Sequence, residues 1–162
     1  MEYAIIRTKN VTELRKSIDR AKDIIVVEGG DDKINRVALE NKKVDILLSP
    51  EKGRGPDKTH YRNSGLNQVL CKLAAKNKIA IGFNFDDIID SKDRSILMGR
   101  MMQNVRFCRK YKVRIVLDCF GKYKKDKKDL AIFAQTLGMT PGEAKQAVNF
   151  KKINEEIVKI IE

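Results

Sequence analysis

The stretch IIVVEGGDD (24–32), running on into KINRVALE (33–40), decides the fold class. Four β-branched apolar residues in a row, with no polar alternation, describe a strand covered on both faces, as in a parallel sheet. Gly29 and Gly30 allow a sharp turn. Asp31 or Asp32 then offers a helix cap, and Ile34, Val37 and Ala38 recur at helical spacing. This is one βα unit. Its pattern repeats outward through YAIIR (3–7), VDILLS (44–49), KIAIGF (78–83) and VRIVLD (113–118), each followed by polar or glycine-containing residues.

Helical patterns fill the gaps. Asn10 and Glu13 form a capping pair ahead of Leu14, Ile18 and Ala21. Ser64 precedes a stripe of Leu66, Val69, Leu70, Leu73 and Ala74. The longest helix is expected over 94–111, burying Leu97, Met101, Val105 and Cys108. Alternating strands and helices with short links give right-handed βαβ units around a parallel sheet, in a single α/β domain over 1–162. Five strands do not close an eight-stranded barrel, which takes about 250 residues. Pattern alone therefore favours an open doubly wound sheet.

The last third changes character. A helix is expected over 127–137 with Leu130, Ile132, Phe133 and Leu137 as its apolar members. Thr140 suits an N-cap, Pro141 the first helical position and Glu143 the position whose carboxylate reaches back to the cap. Beyond Phe150 the pattern fits either a final helix or a strand followed by a helix.

Charge is the informative part of the composition. The chain carries 34 basic and 22 acidic residues, a net charge of +12. Residues 100–114 hold Arg100, Arg106, Arg109, Lys110, Lys112 and Arg114 with no acid among them. FGKYKKDKKD (120–129) adds Lys122, Lys124 and Lys125, and EKGRGPDKTHYR (51–62) is basic and rich in Gly and Pro. Such a field attracts phosphate backbones through counterion release. A charged fraction of 35%, with no run near the ~18 apolar residues of a membrane span, excludes an integral membrane protein. The first residues lack the apolar core of a secretory leader, so a cytoplasmic location is expected. Cys71, Cys108 and Cys119 lack metal-site spacing and read as free thiols.

Catalytic signatures are missing. There is no phosphate-binding glycine motif, nucleophile elbow or zinc-protease motif. His60, the only histidine, sits in a polar loop expected to be flexible and has no orienting partner in sequence. Glu28, Asp86 and Asp118 lie near strand ends and are the one carboxylate set that would hold Mg²⁺ if they converged. Asp45 begins its strand, at the opposite edge, and is expected to make a structural hydrogen bond. Tyr61 and Tyr123 lie inside basic loops, within stacking reach of a base. The main expectation is nevertheless contact with structured RNA through its backbone.

Four blocks in order, VDILLSP (44–50), GLNQVLCKLAAKNKIAIGF (65–83), SILMGRMMQNVRFCRKYKVRIVL (95–117) and DLAIFAQTLGMTPGEAKQAV (129–148), resemble one family. It is the α/β-barrel subunit of archaeal and eukaryotic ribonuclease P known as protein component 3. The resemblance spans residues 3–150. It implies a parallel-sheet β/α barrel, here incomplete because the usual member has roughly fifty further residues and about two strands ahead of the position of Met1. It also implies an accessory role, in which an RNA removes the 5′ leader of precursor tRNA and the protein partners a smaller subunit, protein component 2. No cofactor belongs to the chain, and Mg²⁺ is expected with the RNA. By resemblance Lys33, Arg36 and Lys76 match basic positions and Asp45 an acidic one. RNA contact extends to Lys52, Arg54, Lys58 and Arg62, and to Arg100, Arg106, Lys122, Lys124 and Lys125, from charge and placement. The alternatives are a protein-interaction domain and a metal-dependent hydrolase on a partial barrel.

Overall fold

A computed structural model describes residues 3–150. In chain order the elements are β1 (Tyr3–Ile6), α1 (Val11–Arg20), β2 (Ile24–Glu28), α2 (Asp32–Glu40), β3 (Ile46–Leu48), α3 (Gln68–Asn77), β4 (Ala80–Asn84), α4 (Phe85–Asp90), α5 (Arg94–Tyr111), β5 (Ile115–Asp118), α6 (Lys127–Thr136) and α7 (Pro141–Val148). All five expected strands are present. The tail beyond Phe150, for which the pattern allowed two readings, lies outside the described residues.

The strands pair in parallel in the order β1-β2-β3-β4-β5. A doubly wound sheet reverses direction and places helices on both faces, so the open doubly wound alternative is corrected here. With right-handed crossovers, consecutive order keeps every helix on one side. Packing agrees. Ile25, Val27, Leu47, Ile81, Phe83 and Leu117 join the main core with apolar residues from each of the seven helices among the described residues. The alternate strand residues Ile24, Val26, Ile46, Leu48, Ala80 and Val116 form a second, smaller core with Tyr3, Ile5, Phe120 and Phe150, to which no helix residue among the described residues contributes. Both strand faces are apolar because both are covered, which accounts for the unbroken IIVV run.

The second core is the concave side of a curled sheet. Strands lie about 4.8 Å apart, so the outer two of five in a flat sheet stand roughly 19 Å apart. The ring of Tyr3, on the first strand, nonetheless lies 5.0 Å from that of Phe120, just past the last. Curling crowds the inner face, and Gly82 leaves room where Ile46 and Leu48 come close. A Cβ there would fall 2.7 Å from Ile46 Cγ2 and 3.0 Å from Leu48 Cδ1.

Local chemistry sets the helix boundaries. Asn10, Asp31, Asn67, Asn84 and Asp126 cap α1, α2, α3, α4 and α6 with side-chain acceptors. Thr140 and Glu143 complete the expected capping box of α7. The helix after Ser64 starts later than its apolar stripe suggests, at Gln68, and leaves Val69 exposed. Ile132, expected on the apolar side of α6, is exposed as well. Three helices end alike: the amides of Ile79, Val113 and Met139 return to the carbonyls of Ala74, Cys108 and Ala134. Each such ending needs a left-handed residue. Gly138 supplies it with φ +101 and Lys78 and Lys112 with φ 56.

Candidate nucleic-acid interface

The long connection from β3 to α3 is built on buried hydrogen bonds. Asn35 of α2 is fully buried. Its Oδ1 accepts from the Gly30 amide at 3.0 Å, and its Nδ2 donates to the carbonyls of Pro50 at 3.5 Å and Gly65 at 3.3 Å. One side chain thus joins the β2–α2 turn to both ends of the loop. Gly65 has φ +81, and a Cβ there would fall 2.0 Å from Pro50 O, so only glycine fits.

From the other flank, α5 holds the same loop. Arg100 donates to Asp57 Oδ1 at 2.9 Å, Glu51 O at 3.3 Å and Gly55 O at 2.6 Å. Gln103 brackets the Arg62 backbone, accepting from its amide and donating to its carbonyl, both at 2.9 Å. The buried Asn104 donates to Ser64 O at 2.9 Å. Asp57 also receives the Asn63 amide at 2.9 Å and Arg62 at 3.2 Å. Burial pushes the Asp57 carboxyl up, but the Asn63 amide and Arg100 outweigh it and hold it below the usual range. The loop expected to be flexible is strapped to two helices.

That strapping corrects several of the expected RNA contacts. Arg100 is buried and committed to the loop, so it is a structural residue. Arg54 is mostly covered, bonded to Asn63 Oδ1 at 2.7 Å, Gly30 O at 2.8 Å and Asp32 at 2.7 Å. Lys52 bridges Glu28 and Asp87, both at 3.0 Å. Arg62 keeps half its surface but pairs with Asp57 and lies on Gly99 of α5. Arg36 and Glu40 form an exposed pair at 2.8 Å, which water screens. Lys122 approaches Asp90 at 3.5 Å and lies over the Tyr123 ring. Lys33, Lys58, Lys76, Arg106, Lys124 and Lys125 are exposed and make no ion pair among the described residues.

Between the loop, α2, α3 and α5 lies a groove of about 930 Å³. Arg36, Lys58, Arg62, Arg106 and Lys110 line it together with Tyr61, Val69 and Phe107, and its one carboxylate is Asp32, already paired with Arg54. α3 begins here with no acidic residue in its first turn, so its dipole adds to the positive field.

The ribonuclease P subunit p30 family model matches residues 5–158 of this chain. The chain belongs to that family. It is 38% identical over 117 residues to ribonuclease P protein component 3 of Methanococcus maripaludis strain C6, covering 69% of this chain and 47% of that protein. Against the protein of the same name from Methanocaldococcus jannaschii it is 34% identical over 140 residues, covering 82% and 57%. A chain in the cryo-EM structure of archaeal ribonuclease P with mature tRNA matches with a TM-score of 0.78 at 30% identity, over 98% of this chain and 66% of that one. The chain therefore spans about half the length of the curated relatives it matches.

In this p30-family chain the carboxyl edge of the sheet is filled by ion pairs. Glu28 binds Arg7 and Lys52, and Lys52 passes the contact on to Asp87, which accepts from Ser49 Oγ at 2.7 Å. Burial would raise the Glu28 carboxyl, but Lys52 and Arg7 hold it low. Asp118 ends β5 opposite Asn84, and Asp86 follows in the first turn of α4; burial, aided by the Asp86 charge, raises the Asp118 carboxyl. Glu28, Asp86 and Asp118 do not assemble as one ligand set: no group of three His, Cys, Asp or Glu among the described residues is placed to hold a metal ion. His60 is exposed on the strapped loop.

Asp45 binds the Ile25 amide at 2.9 Å at the amino edge of the sheet, its expected role. Glu143 adds to its capping role a paired contact with Arg109, at 3.0 and 2.8 Å, which with the Thr140 amide holds its carboxyl down at about 2. Burial raises the Cys71 thiol to about 11 and raises the Cys108 thiol as well. No helix among the described residues is long and apolar enough to cross a membrane.

The sequence reading missed Asn35, Glu51, Asp57, Gln103 and Asn104. A signal for two of them existed. Asn35 lies three residues before Ala38, and Asn104 three after Met101, so each polar residue falls on a buried stripe. Buried polar groups need partners, and both find them in the loop.

Proposed function

We propose that the chain is an accessory RNA-binding subunit of ribonuclease P, supporting RNA-catalysed removal of the 5′ leader from precursor tRNA. The observation that carries this reading is the basic groove and its rim, where Lys58 and Arg106 are exposed and make no ion pair among the described residues. Membership of the p30 family supports the ribonuclease P assignment. Phosphate contacts of this kind fix the register of a folded RNA without reading its bases. Lys33, Arg36, Lys58, Lys76, Arg106, Lys122, Lys124 and Lys125 are the proposed contacts. Arg54, Arg100 and Lys52 hold the surface that presents them. The partners in this reading are the ribonuclease P RNA, precursor tRNA as the substrate of the complex, and protein component 2, in a cytoplasmic ribonucleoprotein. Mg²⁺ belongs to the RNA.

The test is a mobility-shift titration with ribonuclease P RNA at several salt concentrations, beside an assay of the isolated chain on precursor tRNA. Affinity should fall steeply with salt, with a slope set by the number of phosphates neutralised. The isolated chain should leave precursor tRNA intact. Salt-independent binding, or cleavage by the chain without RNA, overturns the proposal.

A further inference from the structure

The groove carries a feature that backbone binding does not require. Tyr61 is 62% exposed and Val69 54% exposed, and both line the same cavity as the partly buried Phe107. Duplex RNA is gripped through phosphates and 2′-hydroxyls by a charged surface, with no call for an open apolar floor. An aromatic floor beneath a basic rim instead suits an unpaired nucleotide, whose base stacks while its phosphates meet cations.

We infer that this groove receives an unpaired nucleotide of the bound RNA, its base stacked on Tyr61 beside Val69 and its flanking phosphates held by Arg106 and Lys58. The inference rests on the RNA-binding reading above and names the RNA element that this site takes. The volume of about 930 Å³ falls at the upper end of the ~300–1,000 Å³ typical of small-ligand sites, the scale of individual nucleotides.

Rigidity favours the same occupant. Tyr61 sits in a turn closed by the Lys58 amide on its carbonyl at 2.9 Å. The next residue, Arg62, has both backbone groups held by Gln103. The ring is therefore presented by a fixed loop, and stacking costs little ordering. Charge also selects the occupant. Among the described residues that line it, Asp32 is the one carboxylate, paired to Arg54 and outnumbered by Arg36, Lys58, Arg62, Arg106 and Lys110, so the groove favours an anion.

The experiment compares the whole chain and its Tyr61→Ala and Tyr61→Phe variants on two probes of equal phosphate number, an unstructured oligonucleotide and a blunt RNA duplex. An oligoglutamate serves as competitor. Removing the ring should weaken oligonucleotide binding by about five- to hundredfold, the range for one stacked base. Phenylalanine should restore it, and duplex affinity and both salt slopes should stay as they were. Equal loss on both probes, or no loss on either, overturns the inference while leaving RNA binding in place. Displacement of the oligonucleotide by oligoglutamate at equal charge also overturns it, in favour of an acidic protein segment. If the unmodified chain binds neither RNA at low salt, the functional proposal itself fails, which is a different result.

Discussion

Two basic loops, 51–66 and 119–126, look alike in sequence and behave differently in the fold. Both follow a strand, both contain glycine, and both carry clustered cations beside a tyrosine. In the first, Arg54 and, from α5, Arg100 turn inward and hold backbone carbonyls and Asp57, so that part of the charge serves as internal scaffolding. In the second, Lys124 and Lys125 stand in solvent and pair with nothing among the described residues. A net charge therefore indicates how much cation a chain has and not how much of it a polyanion can reach. The arginine fork with several donors suits scaffolding, while lysine, a single strongly hydrated charge, suits the free surface.

The largest effect that would break this contrast is expected at Arg100. Arg100→Ala takes the guanidinium from Asp57, leaves the buried Glu51 carbonyl without its donor and leaves the Gly55 carbonyl to Asn63 alone, at a cost of about 3–5 kcal/mol. Urea unfolding of the variant should show the midpoint falling steeply, and an unchanged midpoint would mean the loop does not depend on α5. Glu51 comes next. It is fully buried, and neither carboxylate oxygen has a hydrogen-bond partner. Burial raises its pKa from 4.5 to about 8, with its own backbone amide pulling back only in part and Asp87 adding to the rise. Because the folded form holds its proton more tightly, stability is fully present below pH 4.5 and declines as pH rises towards about 8. Glu51→Gln should remove that decline, with a gain on the order of 2–3 kcal/mol at pH 7. Thermal melts at pH 5 and pH 8 check it, since the gap between the parent and the variant must widen with pH.

A smaller effect is expected at Glu143. Its lowered carboxyl, at about 2 against 4.5 unfolded, adds stability that is present above pH 4.5 and lost as pH falls towards 2. The pair is over a third exposed, so Glu143→Gln should cost only ~0.5–1 kcal/mol at neutral pH and almost nothing near pH 2. Acid melts of the two proteins should converge. Least of all should change in the second loop. Lys124→Ala with Lys125→Ala is expected to leave the melting temperature alone, within ~0.5 kcal/mol, while lowering the salt slope of RNA binding by roughly two. An unchanged slope would place the RNA elsewhere.

What could be read in the sequence divides along similar lines. Strands and caps were legible because they are local: IIVV is covered on both faces, and Thr140-Pro141-Gly142-Glu143 contains its own partners. Winding was not legible, since βα alternation is the same whether successive helices share a face or alternate. The crowding of Ile46 and Leu48 around Gly82 exists only once the strands are aligned. The groove was half legible. Its cations, and Tyr61 as a stacking candidate, stand out in the sequence. Which arginines turn inward depends on Asp57 and α5, 43 residues apart in the chain, and no periodicity reports a contact of that range.

The helix endings at Lys78, Lys112 and Gly138 have a further consequence. All three take the same left-handed bend, yet two carry a side chain that resists it by about 1 kcal/mol. Exchanging either lysine for glycine would relax the backbone and delete a cation in one step, so electrostatic strength and thermal resistance can be tuned in opposite directions at these joints.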